Sequence, residues 1–154
     1  GDALLDLGCG SGILSIIGMK LGADCAIGTD IDASAVETAK ENAAINQLTL
    51  HSSKANVERI SGAVEFLTGN VIGDEAFARQ VGENCYNMVV ANILADIIIP
   101  LSATVKRHMV PSGYFISSGI IEMKAEEVKE ALLANGFEIV EESRMKDWVS
   151  FVAR

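Results

Sequence analysis

A glycine loop and a separate acidic residue follow the first two apolar segments of the chain. The loop is Gly8-Cys9-Gly10-Ser11-Gly12, directly after Leu5-Asp6-Leu7. Glycine lets a backbone turn tightly and approach a ligand closely, and the N–H groups that open a following helix attract an anion. Asp30 ends the second apolar segment, close to the spacing at which an acid meets ribose hydroxyls in nucleotide-binding folds. These motifs predict a site for a nucleotide-like ligand.

Two residues favour S-adenosylmethionine over a dinucleotide as that ligand. The dinucleotide fingerprint needs a small residue where this chain has Ile13, whose branched side chain would obstruct close helix–strand packing. The Asp6 carboxylate beneath the loop would repel a pyrophosphate and favour a ligand with an ammonium and a sulfonium group. S-adenosylmethionine carries both groups. A dinucleotide site, or a glycine-rich turn without a ligand, are the alternatives.

Residues near the ends of the next strands are assigned to parts of this ligand. Gly8, Gly10 and Gly12 are predicted to bind it through the loop. Asp30 is predicted to accept hydrogen bonds from both ribose hydroxyls, and Ile31 to lie against the adenine. Asp32 is expected to cap the following helix instead of binding the ligand. Asn70 either reaches the adenine edge or forms a plain Gly-Asn turn.

Asn92 is the candidate catalytic residue. It ends the fourth predicted strand, and in open α/β sheets the ligand crevice lies at the carboxyl ends of the strands. Its amide oxygen can accept from an amine, and its amide nitrogen can hold the donor's polar tail. An asparagine chosen for turn geometry is the alternative. Asp96 is expected to be an N-cap, and Trp148 is expected in the core, with the substrate-pocket wall as the alternative.

Apolar runs alternate with helical patterns along the chain, which is typical of βαβ units and a parallel sheet. Strands are predicted at 3–7, 25–29, 64–67, 86–91, 114–117, 137–145 and 148–153, and helices at 13–21, 33–46, 75–81, 96–109 and 124–135. Residues 47–62 are predicted as an extended loop and 111–113 as a turn. Because only two residues separate the last two strands, these should form an antiparallel hairpin. The pattern predicts one α/β domain over residues 1–154.

The composition narrows the possible partners. A net charge of -9 in 154 residues argues against direct nucleic acid binding and suits a basic protein substrate, although it also suits simple solubility. Three cysteines without CxxC spacing indicate neither a disulfide framework nor a metal site, and a reducing cytoplasm is the expected setting. No apolar run approaches the length of a membrane span, so no membrane partner is expected.

Four motifs point to one family. They are Asp6-Leu7-Gly8-Cys9-Gly10-Ser11-Gly12-Ile13-Leu14-Ser15 with Gly28-Thr29-Asp30-Ile31-Asp32, Val90-Ala91-Asn92-Ile93-Leu94-Ala95-Asp96, Ser118-Gly119-Ile120-Ile121, and Asp147-Trp148. The chain resembles the PrmA family over essentially its whole length. These bacterial enzymes methylate large-subunit ribosomal protein eleven.

The resemblance implies a Rossmann-like, seven-stranded class I S-adenosylmethionine-dependent methyltransferase fold, mostly parallel with a C-terminal antiparallel hairpin. It also implies a protein N-methyltransferase that trimethylates lysine side chains and an N-terminal amine. S-adenosyl-L-methionine would be its cofactor, bound by Gly8, Asp30 and Asn92, and ribosomal protein eleven its partner.

The chain departs from the family pattern in two respects. The family's N-terminal substrate-recruiting domain, its linker and a donor-contacting threonine before the first strand are not among these 154 residues, and the 48–63 stretch is longer than expected. One alternative is a methyltransferase for a small molecule or a nucleobase amine, although the chain has Asn-Ile-Leu-Ala instead of the Asn-Pro-Pro-aromatic motif of nucleobase enzymes. The other is a donor-binding module that is inactive without its recruiting domain.

Overall fold

Strands and helices alternate along the chain in the computed structural model, which describes residues 1–154. The strands are β1 Ala3–Leu7, β2 Cys25–Asp30, β3 Thr49–Leu50, β4 Ala63–Thr68, β5 Tyr86–Asn92, β6 Met109–Ile121, β7 Ile139–Met145 and β8 Trp148–Ala153. The helices are α1 Ile13–Lys20, α2 Ala33–Ile45, α3 Glu75–Val81, α4 Ala95–Ser102 and α5 Ala125–Ala134, with 3₁₀ turns at Val105–His108 and Glu122–Lys124. None of the helices combines the length and apolar character that a membrane crossing requires.

All eight strands belong to one sheet with the order β3-β4-β2-β1-β5-β6-β8-β7. The first six in this list run parallel, and β8 is antiparallel to both β6 and β7. The chain moves outward from β1 in one direction through β2 and in the other through β5. The strand order therefore reverses at β1, and ligands of open α/β sheets bind at the carboxyl ends of the strands at such a point.

Apolar side chains cover both faces of the sheet. Successive strand residues point to opposite faces, so Leu4 belongs to a cluster of 10 buried residues with α1 and α2, while Leu5 belongs to a cluster of 24 with α4 and α5. A parallel strand buried on both faces needs a continuous apolar run, and all five residues of β1 are buried. This burial fixes the position from which the glycine loop leaves the sheet.

The predicted α/β fold is confirmed, including the C-terminal antiparallel hairpin, but the sheet has eight strands and not seven. The additional strand, β3, lies within the predicted 47–62 loop and pairs in parallel with the start of β4. Two residues at a sheet edge carry too weak a pattern to be recognised in a polar stretch. The predicted helix over 33–46 is confirmed as α2, which spans Ala33–Ile45.

The predictions for residues 96–117 are partly wrong. The helix ends at Ser102, and the apolar pattern continues through the 3₁₀ turn, which buries Val105. The following strand is much longer than 114–117 and includes the predicted turn at 111–113. Its register against β5 shifts between the pairs that contain Met109 and Tyr114. Pro111 lies in this irregular stretch, where its missing N–H leaves no ladder hydrogen bond unmade.

Candidate active site

The three loop glycines adopt left-handed backbone conformations, which favour glycine. Their φ angles are 73° at Gly8, 52° at Gly10 and 80° at Gly12. A Cβ at Gly8 would overlap Ile93, whereas a Cβ at Gly10 would meet nothing within 4 Å. The middle of the loop is therefore open to a ligand, while its first glycine packs closely against the segment after β5.

Gly12, and not residue 13, provides the close packing between α1 and its neighbours. A Cβ at Gly12 would lie 2.9 Å from the Ala39 Cβ and 3.0 Å from the Phe66 Cζ. Ile13 is 57% exposed and does not lie in this contact. The steric objection to a dinucleotide that was based on Ile13 is therefore wrong, and the choice of ligand depends on the remaining features of the site.

Asp30 braces the glycine loop. Its Oδ2 accepts a hydrogen bond from the Gly10 N–H at 2.9 Å, and its Oδ1 accepts one from the Asp32 N–H at 2.9 Å. Each carboxylate oxygen keeps a second lone pair with which it can accept from a hydroxyl. The predicted cap at Asp32 is confirmed, because its side chain accepts from the Ser34 N–H at 2.8 Å at the start of α2.

Asp6 lies buried beneath the loop. Its Oδ2 accepts from both the N–H and the hydroxyl of Ser15, at 3.0 and 2.8 Å, and so ties β1 to the first turns of α1. Burial raises the pKa of this carboxyl from 3.8 to about 6, against the opposing effect of the Ser15 hydrogen bonds, and the nearby Asp30 charge raises it further. Asp6 lines neither of the two cavities described below, so its predicted effect on a cationic ligand would act through space.

A first cavity of about 490 Å³ opens at the carboxyl ends of β1 and β2. Asp30 and Ile31 line it, and Ile31 is 74% exposed there. Asn70 lines it as well, but its Oδ1 accepts from the Ile72 N–H at 2.9 Å, which is the turn arrangement; its amide nitrogen takes no part in that bond. The other lining residues are Leu7, Gly8, Thr29, Gly69, Val71, Ile72, Ile93, Leu94, Ile97, Pro100 and Leu101.

The apolar wall of this cavity was not predicted from the sequence. It includes Ile93, Leu94 and Ile97, which follow the end of β5. Their signal was a run of large apolar residues after a strand had ended, where solvent-facing residues would be expected. A groove with one acidic end and an apolar wall suits a ligand with a ribose and a flat aromatic base.

Asn92 lies in a second cavity, of about 520 Å³, at the end of β5. Gly119 on β6 faces it with a φ of 74°, and a Cβ there would come within 2.6 Å of the Asn92 Oδ1. Trp148 lines the same cavity and is 55% exposed, so its predicted core location is wrong and the alternative, a pocket wall, describes its position. The other lining residues are Ser118, Ser143, Arg144, Met145, Val149 and Ser150.

The two cavities share one wall. Asn92 lines the second cavity, while Ile93 and Leu94 line the first. Two residues of chain span at most about 7 Å, so a ligand in one cavity lies close to a ligand in the other. Asp96 takes no part in either cavity. It lies in the first turn of α4, where Leu94 is the N-cap, and its Oδ1 is 3.6 Å from the Lys124 Nζ, so the predicted cap at Asp96 is wrong.

The strand order, the glycine loop after β1 and the acid at the end of β2 define the fold of class I S-adenosylmethionine-dependent methyltransferases. Solved structures agree. The ribosomal protein L11 methylase of Lactobacillus delbrueckii subsp. bulgaricus has a TM-score of 0.77 and 29% identity, over 99% of this chain and 69% of that chain. An RNA methyltransferase of Salinibacter ruber in complex with S-adenosyl-L-homocysteine has a TM-score of 0.67 and 17% identity, over 98% and 78%, which shows the fold alone.

The profile of the ribosomal protein L11 methyltransferase (PrmA) family matches residues 1–154. The L11 methyltransferase of Lachnoclostridium phytofermentans is 58% identical over 100% of this chain and 47% of its own length. That of Halalkalibacterium halodurans is 37% identical over 100% of this chain and 43% of its own length. This chain belongs to the PrmA family, as the four motifs predicted, and it spans about half the length of the curated relatives it matches.

Proposed function

We propose that this chain is the methyl-transferring part of an enzyme that uses S-adenosyl-L-methionine to methylate lysine and N-terminal amino groups of ribosomal protein L11. The observation that carries the proposal is the shared wall at 92–94, which separates the first cavity, with Asp30 and an apolar wall, from the second cavity, which holds Asn92. Family membership supports the choice of substrate. A cytoplasmic location belongs to the same proposal.

The first cavity fits the methyl donor. Its volume of about 490 Å³ lies within the range of small-molecule sites. Asp30 offers free lone pairs to the ribose hydroxyls, Ile31 and the apolar wall hold the adenine, and Asn70 has an amide N–H group left for the edge of the base. The open middle of the loop at Gly10 leaves room for the amino-acid tail. When bound there, S-adenosylmethionine supplies an electrophilic methyl group.

Asn92 aligns the attacking amine. A lysine amine has an ordinary pKa of about 10.4 and must lose its proton before it can attack. The Asn92 amide oxygen accepts a hydrogen bond from one N–H of the neutral amine. The lone pair of the amine nitrogen then faces the shared wall. As the new N–C bond forms, the C–S bond breaks and its electron pair stays on sulfur. Water takes the proton that the product ammonium releases.

A donor-binding module that transfers nothing unaided is the second candidate. The chain covers only 47% of the relative from Lachnoclostridium phytofermentans, so more than half of that protein lies outside it. We propose that this remainder includes the domain that recruits the substrate. In that case the 154-residue chain binds the donor normally but does not methylate L11 unaided.

Three measurements test these proposals. Calorimetry on the 154-residue chain should detect binding of S-adenosylmethionine, which should raise the free energy of unfolding by about 2.7 kcal/mol at a hundredfold excess over Kd. Binding of NADH without binding of S-adenosylmethionine would refute the donor assignment. Mass spectrometry should then follow methylation of unmethylated L11 by the chain alone and by the full-length protein. Transfer by the full-length protein only would favour the donor-binding module, and transfer by neither would refute the proposed substrate.

A methyl-transfer rate that stays flat from neutral to alkaline pH would contradict attack by the neutral amine.

A further inference from the structure

The second cavity is built by an irregularity in β6. Along β6, Ser117 pairs with Phe151 of β8, but the next pair is Ile120 with Val149. The residues between, Ser118 and Gly119, therefore face only Ser150, which is a β-bulge, and bulges re-aim side chains. This bulge lies opposite the end of β5 and opens the space that the β7–β8 hairpin closes on its other side.

Trp148 supplies the aromatic wall of this space. It is the first residue of β8 and the only tryptophan of the chain. Its indole is more than half exposed although it lines a cavity. The face of an indole carries partial negative charge and attracts a cation that lies within about 6 Å of the ring centroid. A cavity ligand that reaches Trp148 can therefore be recognised by its positive charge.

The charges around the cavity also suit a cation. Arg144 is the only charged residue that lines it. Its guanidinium is already paired, at 2.9 Å with a carboxylate oxygen of Glu122 and at 3.6 Å with one of Glu142. The two glutamates do not line the cavity, but together with Arg144 they form a group with a net charge of about -1 beside it, which repels an anion and attracts an ammonium.

We propose that the second cavity is a cation-binding subsite in which the Trp148 indole holds the methylated ammonium of an acceptor amine. This inference rests on the proposed function, because Asn92 lies in the wall between this cavity and the donor cavity. Each methyl group added to the nitrogen removes an N–H that could donate a hydrogen bond to Asn92 or Ser118. A cation–π contact needs charge and not N–H, so Trp148 still binds the mono- or dimethylated ammonium, which then loses its proton before the next transfer. Trp148 thus determines how many methyl groups one amine receives.

The fluorescence of the only tryptophan tests the binding step directly on the 154-residue chain. The probe is Nα-acetyl-Nε-trimethyllysine amide, and its control is the neutral isostere in which carbon replaces the quaternary nitrogen. We expect a saturable change of emission with the cation and an affinity for the isostere that is about 3- to 30-fold weaker, as cation–π contacts give. Equal affinities, or no saturable change with either compound, would overturn the inference. Calorimetry with S-adenosylmethionine on the same sample reports separately on the proposed function.

Substitutions in the full-length protein test the consequence for product. Trp148→Leu removes the ring, Trp148→Phe keeps one, and Tyr114→Leu is the matched control, because Tyr114 is a partly exposed aromatic residue on β6 outside both cavities. We expect Trp148→Leu to accumulate mono- and dimethylated amines by mass spectrometry, Trp148→Phe to restore part of the trimethylated product, and Tyr114→Leu to leave the distribution unchanged. An unchanged distribution for Trp148→Leu, or equal loss at all three steps, would show that Trp148 does not act on the methylated ammonium.

Discussion

Replacing Asp6 by asparagine should make the protein less sensitive to rising pH. The buried carboxyl of Asp6 has a pKa of about 6 in the folded chain against 3.8 as its ordinary value. The unfolded chain therefore loses this proton at lower pH than the folded chain does, and ionisation disfavours the folded state. The cost is absent below both pKa values, grows as pH rises between them, and is complete above about pH 6. At about 1.4 kcal/mol for each pKa unit, it reaches about 3 kcal/mol.

Asparagine preserves the geometry of the site. Both Ser15 hydrogen bonds go to the same oxygen of Asp6, so a carbonyl can accept both, and the NH₂ group occupies the place of the protonated oxygen. Urea unfolding of wild type and Asp6→Asn, extrapolated to water, measures the difference in free energy of unfolding at each pH. Because the unfolded carboxyl is already mostly ionised at pH 4.5, about 2 of the 3 kcal/mol should develop between about pH 4.5 and pH 7.5.

The sign of the change with pH carries the test. Asp6→Asn should gain stability relative to wild type as pH rises. The control is Glu130→Gln, since Glu130 is an exposed acid on α5 whose replacement removes the same charge. If the difference for Asp6→Asn is constant with pH, or moves in the opposite direction, burial does not control the pKa of Asp6.

Three further predictions concern the two cavities and the glycine loop. Asp30→Ala should weaken S-adenosylmethionine binding in calorimetry by about 1.5–3 kcal/mol, because a charged acceptor of ribose and loop hydrogen bonds is lost. Asp32→Ala should instead lower Tm by a few degrees with little loss of donor affinity. A larger loss of donor affinity for Asp32→Ala than for Asp30→Ala would reverse the two roles. Asn92→Ala should slow single-turnover methyl transfer to L11 by the full-length protein by about 10- to 100-fold, equal to about 1.4–2.7 kcal/mol of barrier. Asn92→Asp should also slow this transfer strongly. Wild-type rates for both variants would leave Asn92 as a turn residue. Gly12→Ala should lower Tm more than Gly10→Ala, since both need a left-handed φ but only the Cβ at Gly12 meets Ala39; equal losses would show that the α1–α2 contact yields easily.

Local patterns predicted most of the fold. The β1 bounds and α3 agree with the predicted ranges, because a fully buried strand and a capped short helix are each specified by adjacent residues. The place of the glycine loop after β1, the place of Asp30 at the end of β2 and the cap at Asp32 were predicted for the same reason. Their conformations depend on residue types within a few positions, and the sheet then brings them to one edge.

The misses depend on contacts that are distant in sequence. Trp148 is exposed because the bulge in β6 leaves a cavity beside it. The sequence near residue 148 contains no signal from which that bulge could be predicted. The length of β6 depends on a register shift against β5, which lets Pro111 lie within the strand. Asn92 was placed at the correct strand end, but its separation from the Asp30 cavity follows from the direction in which successive residues point, which the sequence alone does not resolve.

The hydrogen bond from the Gly10 N–H to Asp30 has a consequence for turnover. It joins the loop to β2 through groups of the protein itself, so the fold shapes the loop and little ordering is left for the donor to bring about. The same site binds every compound that has the donor's adenosine and amino-acid parts, including the demethylated product. We therefore expect the spent product to compete strongly with fresh donor, and its departure to limit the steady-state rate more than the transfer does.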